Sequence, residues 1–242
     1  MTLYLIRHAQ SANNDLYERT GSSLGRVEDP ELTPLGVRQA RILAEYLAEG
    51  SGRDGEYGFT HLYTSLMVRS VATATAVSLT CDLQAAAWPQ IHERMGIYLA
   101  DEQTGQLIGC PGKTRSYFQQ HYPDLLLPDS LNEHGWWNRP AETEEQWGQR
   151  AKDFIAELSK RHGNGEDRVA IVTHGGFYHE VLIALAGGPK QAGGPKQDDG
   201  PKQDGMWFTM HNTGISRIDF HSDHASLIYH NRLEHLPPEL VS

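Results

Sequence analysis

The run RVAIVT, Arg168–Thr173, limits the fold more than any other stretch. Its four consecutive apolar residues leave no side of a strand for water, so both faces must be covered. Helices on both faces of a largely parallel sheet define an α/β protein. LYLI, Leu3–Ile6, repeats the pattern near the start of the chain. FTHLYT, Phe59–Thr64, supplies another strand, and a short one is expected near Gln90–His92. Helical signals fill the gaps. In LTPLGVRQARILAEYLAEG, Thr33 can cap, Pro34 suits the first turn and Gly50 can end the helix. Val37, Ala40, Ala44, Leu47 and Ala48 share one face of it. SLMVRSVATATAV is expected as a helix capped by Ser65, and HGGFYHEVLIALAGG as another. TEEQWGQRAKDFIAELSKRHG opens on a Thr143/Gln146 capping-box pattern. MWFTMH, GISRIDF and ASLIYHNRL are expected as three late strands. The chain thus reads as one domain over its 242 residues, a three-layer α/β/α sandwich with a mostly parallel central sheet. An irregular excursion is expected at about 96–140. Residues 188–205 repeat a GPKQ-type unit three times with no apolar residue larger than Ala, and are expected as a surface loop.

In such sheets ligands bind beyond the carboxyl ends of the strands. Arg7 and His8 follow LYLI, Arg69 lies just after FTHLYT, Glu93 follows the short third strand, and His174 follows RVAIVT. Residues far apart in sequence therefore share one rim. Two imidazoles, two guanidiniums and a carboxyl group suit a compact, many-oxygen anion, and phosphate fits best. The helix starts at Ser65 and Gly175 add backbone N–H groups and positive dipole ends that favour an anion. The set suits phosphoryl transfer through a histidine nucleophile. One neutral imidazole attacks phosphorus, the second imidazole and the arginines neutralise the equatorial oxygens, and the carboxyl group protonates the leaving oxygen. The arginines supply the neutralising charge, so neither a metal nor another cofactor is expected.

The ordered motifs resemble the histidine phosphatase superfamily, the phosphoglycerate mutase-like family. LIRHAQSANN is similar to its opening Arg-His-Gly-Glu-Ser-x-x-Asn, with Ala9 and Gln10 in place of Gly and Glu. LTPLGVRQA, TSLMVRSVATA, IHERMG, VTHGG and the closing NTGISRI and NRLEHL match further stretches in order. The resemblance implies that His8 is the nucleophile and His174 the second imidazole. It implies that Arg7 and Arg69 bind the phosphoryl group and that Glu93 is the proton donor, with Asp101, Glu102 and Glu142 as its rivals. It also implies that Ser11, Asn14, Thr20, Gly21 and Gly175 line the phosphate or substrate pocket. Trp136 and Trp137 either line that pocket or cover the excursion.

The implied activity is phosphomonoester hydrolysis. A cofactor-dependent phosphoglycerate mutase is the alternative, and a phosphate-binding regulator without catalysis is the second. Such a mutase usually carries an Arg-Arg pair after the acid, whereas this chain has only isolated Lys113, Arg115 and Arg139 there. The expected partner is a small phosphorylated metabolite. A formal net charge of −10 argues against nucleic acid. No apolar run approaches the roughly 20 residues of a membrane span, and the opening residues lack the pattern of a signal peptide. Cys81 and Cys110 have no metal-type spacing, and fit a reduced cytoplasmic chain better than a disulfide.

Overall fold

Alternate residues of the first strand face opposite ways, and each set meets its own helical layer. The computed structural model describes residues 1–51, 55–101, 103–163, 165–187 and 206–242, so the GPKQ tract lies outside the described residues. Strands β1 (Thr2–Arg7), β2 (His61–Thr64), β3 (Ala85–Ala87), β6 (Arg168–Thr173), β7 (Ile215–Phe220) and β8 (Ala225–Arg232) form one sheet in the order β3-β2-β6-β1-β7-β8. The first four run parallel, while β7 and β8 are antiparallel to their neighbours. Helices α2 (Pro34–Ser51) and α3 (Val68–Cys81) cover one face, where Leu43, Leu47, Val71 and Val77 meet Tyr4, Ile6, Ala170 and Val172. Helices α5 (Glu144–His162) and α6 (Gly175–Leu185) cover the other, where Phe154, Leu158, Phe177 and Val181 meet Leu3, Leu5, Val169 and Ile171. This is the expected three-layer sandwich. The remaining helix of the front half, α1 (Ala12–Thr20), has no buried residue.

Several local expectations need correction. The stretch after β3 is a 3-10 turn at Pro89–Ile91, because Pro89 cannot donate to a ladder. MWFTMH forms no strand, so two late strands follow α6 rather than three. Ser65 does not cap α3; the helix starts at Val68 after Met67, and Ser65 is fully buried. Val37 is exposed, and Gly36, Gln39 and Leu43 complete the buried face of α2. The excursion holds a two-stranded hairpin, β4 (Tyr98–Ala100) and β5 (Leu107–Gly109), and the short helix α4 (Arg115–His121).

The spacing in LTPLGVRQA has a mechanical meaning. Thr33 caps α2 by accepting from the Gly36 N–H. A Cβ on Gly36 would stand 2.0 Å from the Gln10 carbonyl oxygen, so only glycine lets α2 lie against the segment after His8. Gln39 then accepts from the Gln10 N–H at 2.8 Å and donates to the Leu240 carbonyl at 2.7 Å. The start of the chain is thereby tied to its end.

Candidate active site

β1 and β6 are adjacent, and their register pairs Arg7 with Thr173. The next residue on each strand is a histidine. His8 and His174 therefore stand side by side, with ring centroids 5.0 Å apart, and both are buried. His8 is held from every side. Its N–H donates to the Thr173 carbonyl, its carbonyl accepts from Asn212 Nδ2 at 2.8 Å, and the next N–H donates to Thr73 Oγ1.

The contacts of the His8 ring assign its tautomer. Nδ1 lies 2.7 Å from the Ala9 carbonyl oxygen, which can only accept, so Nδ1 carries the proton. Arg69 Nε donates to Nε2 at 3.1 Å, so Nε2 presents its lone pair. Burial, then the charges of Arg69 and Arg7, hold the His8 imidazole well below its ordinary pKa. Burial first and Arg69 next do the same to His174. Ser65 Oγ lies 2.7 Å from His174 Nε2, while His174 Nδ1 is buried without a partner. Arg7 Nε is likewise buried and unpartnered. Arg7 is pushed down to about 10, mainly by desolvation, against the supporting charge of Glu93. Two unsatisfied polar nitrogens beside a neutral imidazole make a site that an anion completes.

Glu93 lines the same cleft of about 210 Å³ as Arg7, His8, Ser11, Asn14 and Arg69. Its carboxylate accepts from the Arg94 N–H at 2.7 Å, the Phe177 N–H at 3.1 Å and the Gly176 N–H at 3.2 Å. The start of α6 is thus occupied by a carboxyl group of the chain itself. The start of α3 is treated similarly, since Asp29 accepts from the Val68 N–H. The expectation that these helix starts bind the ligand's oxygens is corrected to that extent: carboxylates of the chain itself have taken these N–H groups. Gly176 is required for this packing, because its Cβ would fall 2.2 Å from Glu93 Oε1. The backbone around Glu93 is fixed by Arg150, which donates to the carbonyls of Gln90 and His92 while paired side-on with Glu142 at 2.8 Å.

Other expected residues separate into two groups. Ser11 and Asn14 reach the cleft, and their spacing is a capping box at the start of α1. Gly175 opens α6 against the Arg7 side chain. Thr20 and Gly21 are not brought there: Thr20 donates to the Leu16 carbonyl and Gly21 caps α1 on the surface, while Tyr17 of the same helix lines the cleft. Gln10 points to Thr33 and Glu18 instead of into the site. Of the rival acids, Glu142 is committed to Arg150 and Asp101 to an exposed turn with Thr104; Glu102 lies outside the described residues. Trp136 and Trp137 cover the excursion and pack against His92, one tilted and one edge-on, and neither lines the cleft.

The sequence reading missed Asp29, Gln39, Thr73, Asn212 and Arg150, and it took Ser65 for a helix cap rather than a partner of His174. Asp29 faces Arg69 at 3.9 Å, and burial raises its carboxyl to about 6. At the opposite end of the strands His61, His162 and Asp167 bring three donor atoms within 4.8 Å. There His162 is already satisfied by Asp167 at 2.8 Å and the Tyr63 hydroxyl at 3.2 Å.

The model of the histidine phosphatase superfamily, branch 1, matches residues 3–232. The chain belongs to that superfamily. A Hydrogenobacter thermophilus protein named as a candidate phosphoserine phosphatase is 27% identical over 96% of both chains. A Yersinia pestis protein named as a candidate phosphoglycerate mutase is 30% identical over 40% of each chain. The crystal structure of Entamoeba histolytica phosphoserine phosphatase with 3-phosphoglyceric acid superposes with a TM-score of 0.58 at 19% identity, covering 98% of this chain and 99% of that one, a likeness of fold. Among the described residues no helix is long and apolar enough to cross a membrane.

The buried imidazoles have a consequence for stability. His8, His92 and His174 are all held well below their ordinary value, chiefly by burial. Unfolding restores values near 6.5, so the unfolded chain binds protons that the fold refuses. Stability present above about pH 6.5 is then lost as the pH falls, at up to about 1.4 kcal/mol per pH unit for each such group. The urea midpoint should drop steadily from about pH 7 to about pH 5. A midpoint constant over that window would mean that these rings take up protons in the folded chain as readily as in the unfolded one.

Proposed function

We propose that the protein is a phosphatase that hydrolyses a small phosphomonoester through a phosphohistidine on His8, within one catalytic domain. The carrying observation is the His8 ring: Nδ1–H is tied to the Ala9 carbonyl, and the Nε2 lone pair is set among Arg7, Arg69 and Glu93. Nε2 attacks phosphorus, and Arg69 releases that nitrogen as it engages the phosphoryl oxygens. Arg7 and His174 stabilise the charge in flight. The P–O bond breaks as Glu93 gives its proton to the leaving oxygen. Its carboxylate then takes a proton from water, which attacks the phosphohistidine and releases inorganic phosphate.

The mutase alternative has less support. Lys113 lies over Tyr117, Arg139 lies over Trp137, and Arg115 donates to the carbonyls of Leu131 and Pro128. None of the three lines the cleft. A relative that matches over 96% of its length is named for phosphatase activity, and a relative named as a mutase matches over 40% of its length. Phosphoserine is therefore a first compound to assay. A cytoplasmic location fits both cysteines being free thiols.

Incubation with a phosphorus-labelled aryl phosphate should give an acid-labile phosphoenzyme and steady release of inorganic phosphate. A protein that binds phosphate but releases none from any ester would be a regulator. One that instead interconverts phosphoglycerates faster than it hydrolyses them would be a mutase.

A further inference from the structure

We propose that Arg26 binds a carboxylate on the alcohol part of the substrate, a subsite that rests on the phosphatase reading and lies in the same cleft. The ligand class is a short-chain phosphomonoester of a hydroxy acid.

Arg26 follows α1 and lines the cleft together with Arg7, His8 and Arg69. Its charge bears on Arg69, so the two act on one volume. It is held flat: the guanidinium carbon lies 4.3 Å from the centre of the Tyr98 ring, and Nη1 donates to the Tyr98 hydroxyl. Nε is buried and without a partner. No carboxylate stands within 4.0 Å of this cation among the described residues. Arg7 also lacks such a partner, but it stands beside His8 where the phosphoryl group takes it, and the two remaining arginines of the cleft are already paired. Arg69 faces Asp29 at 3.9 Å, and Arg94 faces Glu180 at 3.2 Å between the rings of Trp147 and Trp207. Glu28 lines the same cleft but forms no ion pair with Arg26.

An arginine stacked on an aromatic ring has lost most of its rotamer freedom before ligand arrives. With Nη1 engaged by Tyr98, the Nε side of the fork is left unsatisfied. That edge suits the two oxygens of a carboxylate. A hydroxyl in the same place offers one weaker acceptor. The phosphoryl group is already met by Arg7, Arg69 and His8, so this additional cation is available to the remainder of the molecule. The cleft of about 210 Å³ has room for a few atoms beside the phosphoryl group.

Matched pairs test the subsite in the full-length protein. Phosphoglycolate differs from 2-hydroxyethyl phosphate, and 3-phosphooxypropionate from 3-hydroxypropyl phosphate, only by a carboxylate in place of a hydroxymethyl group. For at least one pair kcat/KM should favour the acid by about 10- to 100-fold. Arg26→Met should bring that ratio to within about threefold of one. A ratio near one for both pairs in the native protein, or a preference that survives Arg26→Met, overturns the subsite. Should Arg26→Met fail to fold, Tyr98→Leu removes the supporting ring and should lower the ratio as well; an unchanged ratio would again overturn it. Failure of the phosphatase reading is recognised separately, by absence of phosphate release from 4-nitrophenyl phosphate. The subsite is then decided by calorimetry on His8→Ala, where the acid of a pair should bind about 10-fold more tightly than the alcohol and equal affinities would refute it.

Discussion

Replacing His8 with alanine should abolish the phosphoenzyme and lower kcat by about 10⁴-fold or more. The size follows from chemistry: without Nε2 no bond to phosphorus can form, and water must attack the ester directly. His8 is only 2% exposed, and the polypeptide around it is held by Thr73, Thr173 and Asn212 through backbone groups that alanine keeps. The variant should therefore retain its circular dichroism spectrum and its cooperative unfolding. Labelled substrate mixed with native protein and variant, then quenched in alkali, reads the intermediate directly. Native amounts of acid-labile phosphate on the variant would take the nucleophile's role away from His8.

Glu93→Gln should lower kcat by about 10²–10³-fold for alkyl phosphates, whose alkoxides leave poorly, and by less than about tenfold for 4-nitrophenyl phosphate. A phenolate leaves without a proton; an alkoxide needs one. The exchange also disturbs the start of α6, because an amide NH₂ would face a backbone N–H where a carboxylate oxygen now accepts. Gly176→Ala probes the placement of the acid without changing its chemistry. It keeps the carboxyl group but drives a methyl into the space of Glu93 Oε1, so it should show the same leaving-group dependence. Equal losses on both ester classes in Glu93→Gln would move the acid elsewhere.

The parts of the site that were legible in the sequence are those read along a single strand. Arg7, His8 and His174 follow apolar runs whose direction and burial are plain, so their rim position follows from the fold class alone. Arg69 and Glu93 follow from the same logic, although the strand expected before Glu93 is a 3-10 turn. The supporting residues were hidden because each acts across a long stretch of chain. Asn212 meets the His8 carbonyl 204 positions away, Ser65 meets His174 across 109, and Arg150 reaches the His92 carbonyl across 58. Nothing local marks an asparagine or serine as such a partner. Thr20 and Gly21 lie outside the cleft for the opposite reason: they close the end of α1, a role that is complete locally. The N–H groups at the start of α6 misled in the same way, since the ligand they attract is Glu93 rather than a substrate.

The His8–His174 spacing is set by the separation of two neighbouring strands in register. No loop sets it. Drift in the segments that carry Arg26 or Tyr98 can therefore alter which ester is accepted without retuning the pair that handles phosphorus. Every accepted ester also passes through one and the same phosphorylated protein. Once the leaving alcohol has gone, nothing remains to distinguish one parent compound from another. Reactive esters should thus converge on a shared ceiling for turnover, fixed by hydrolysis of the His8 adduct. A lineage of such proteins could diversify its diet through the rim while inheriting that ceiling unchanged.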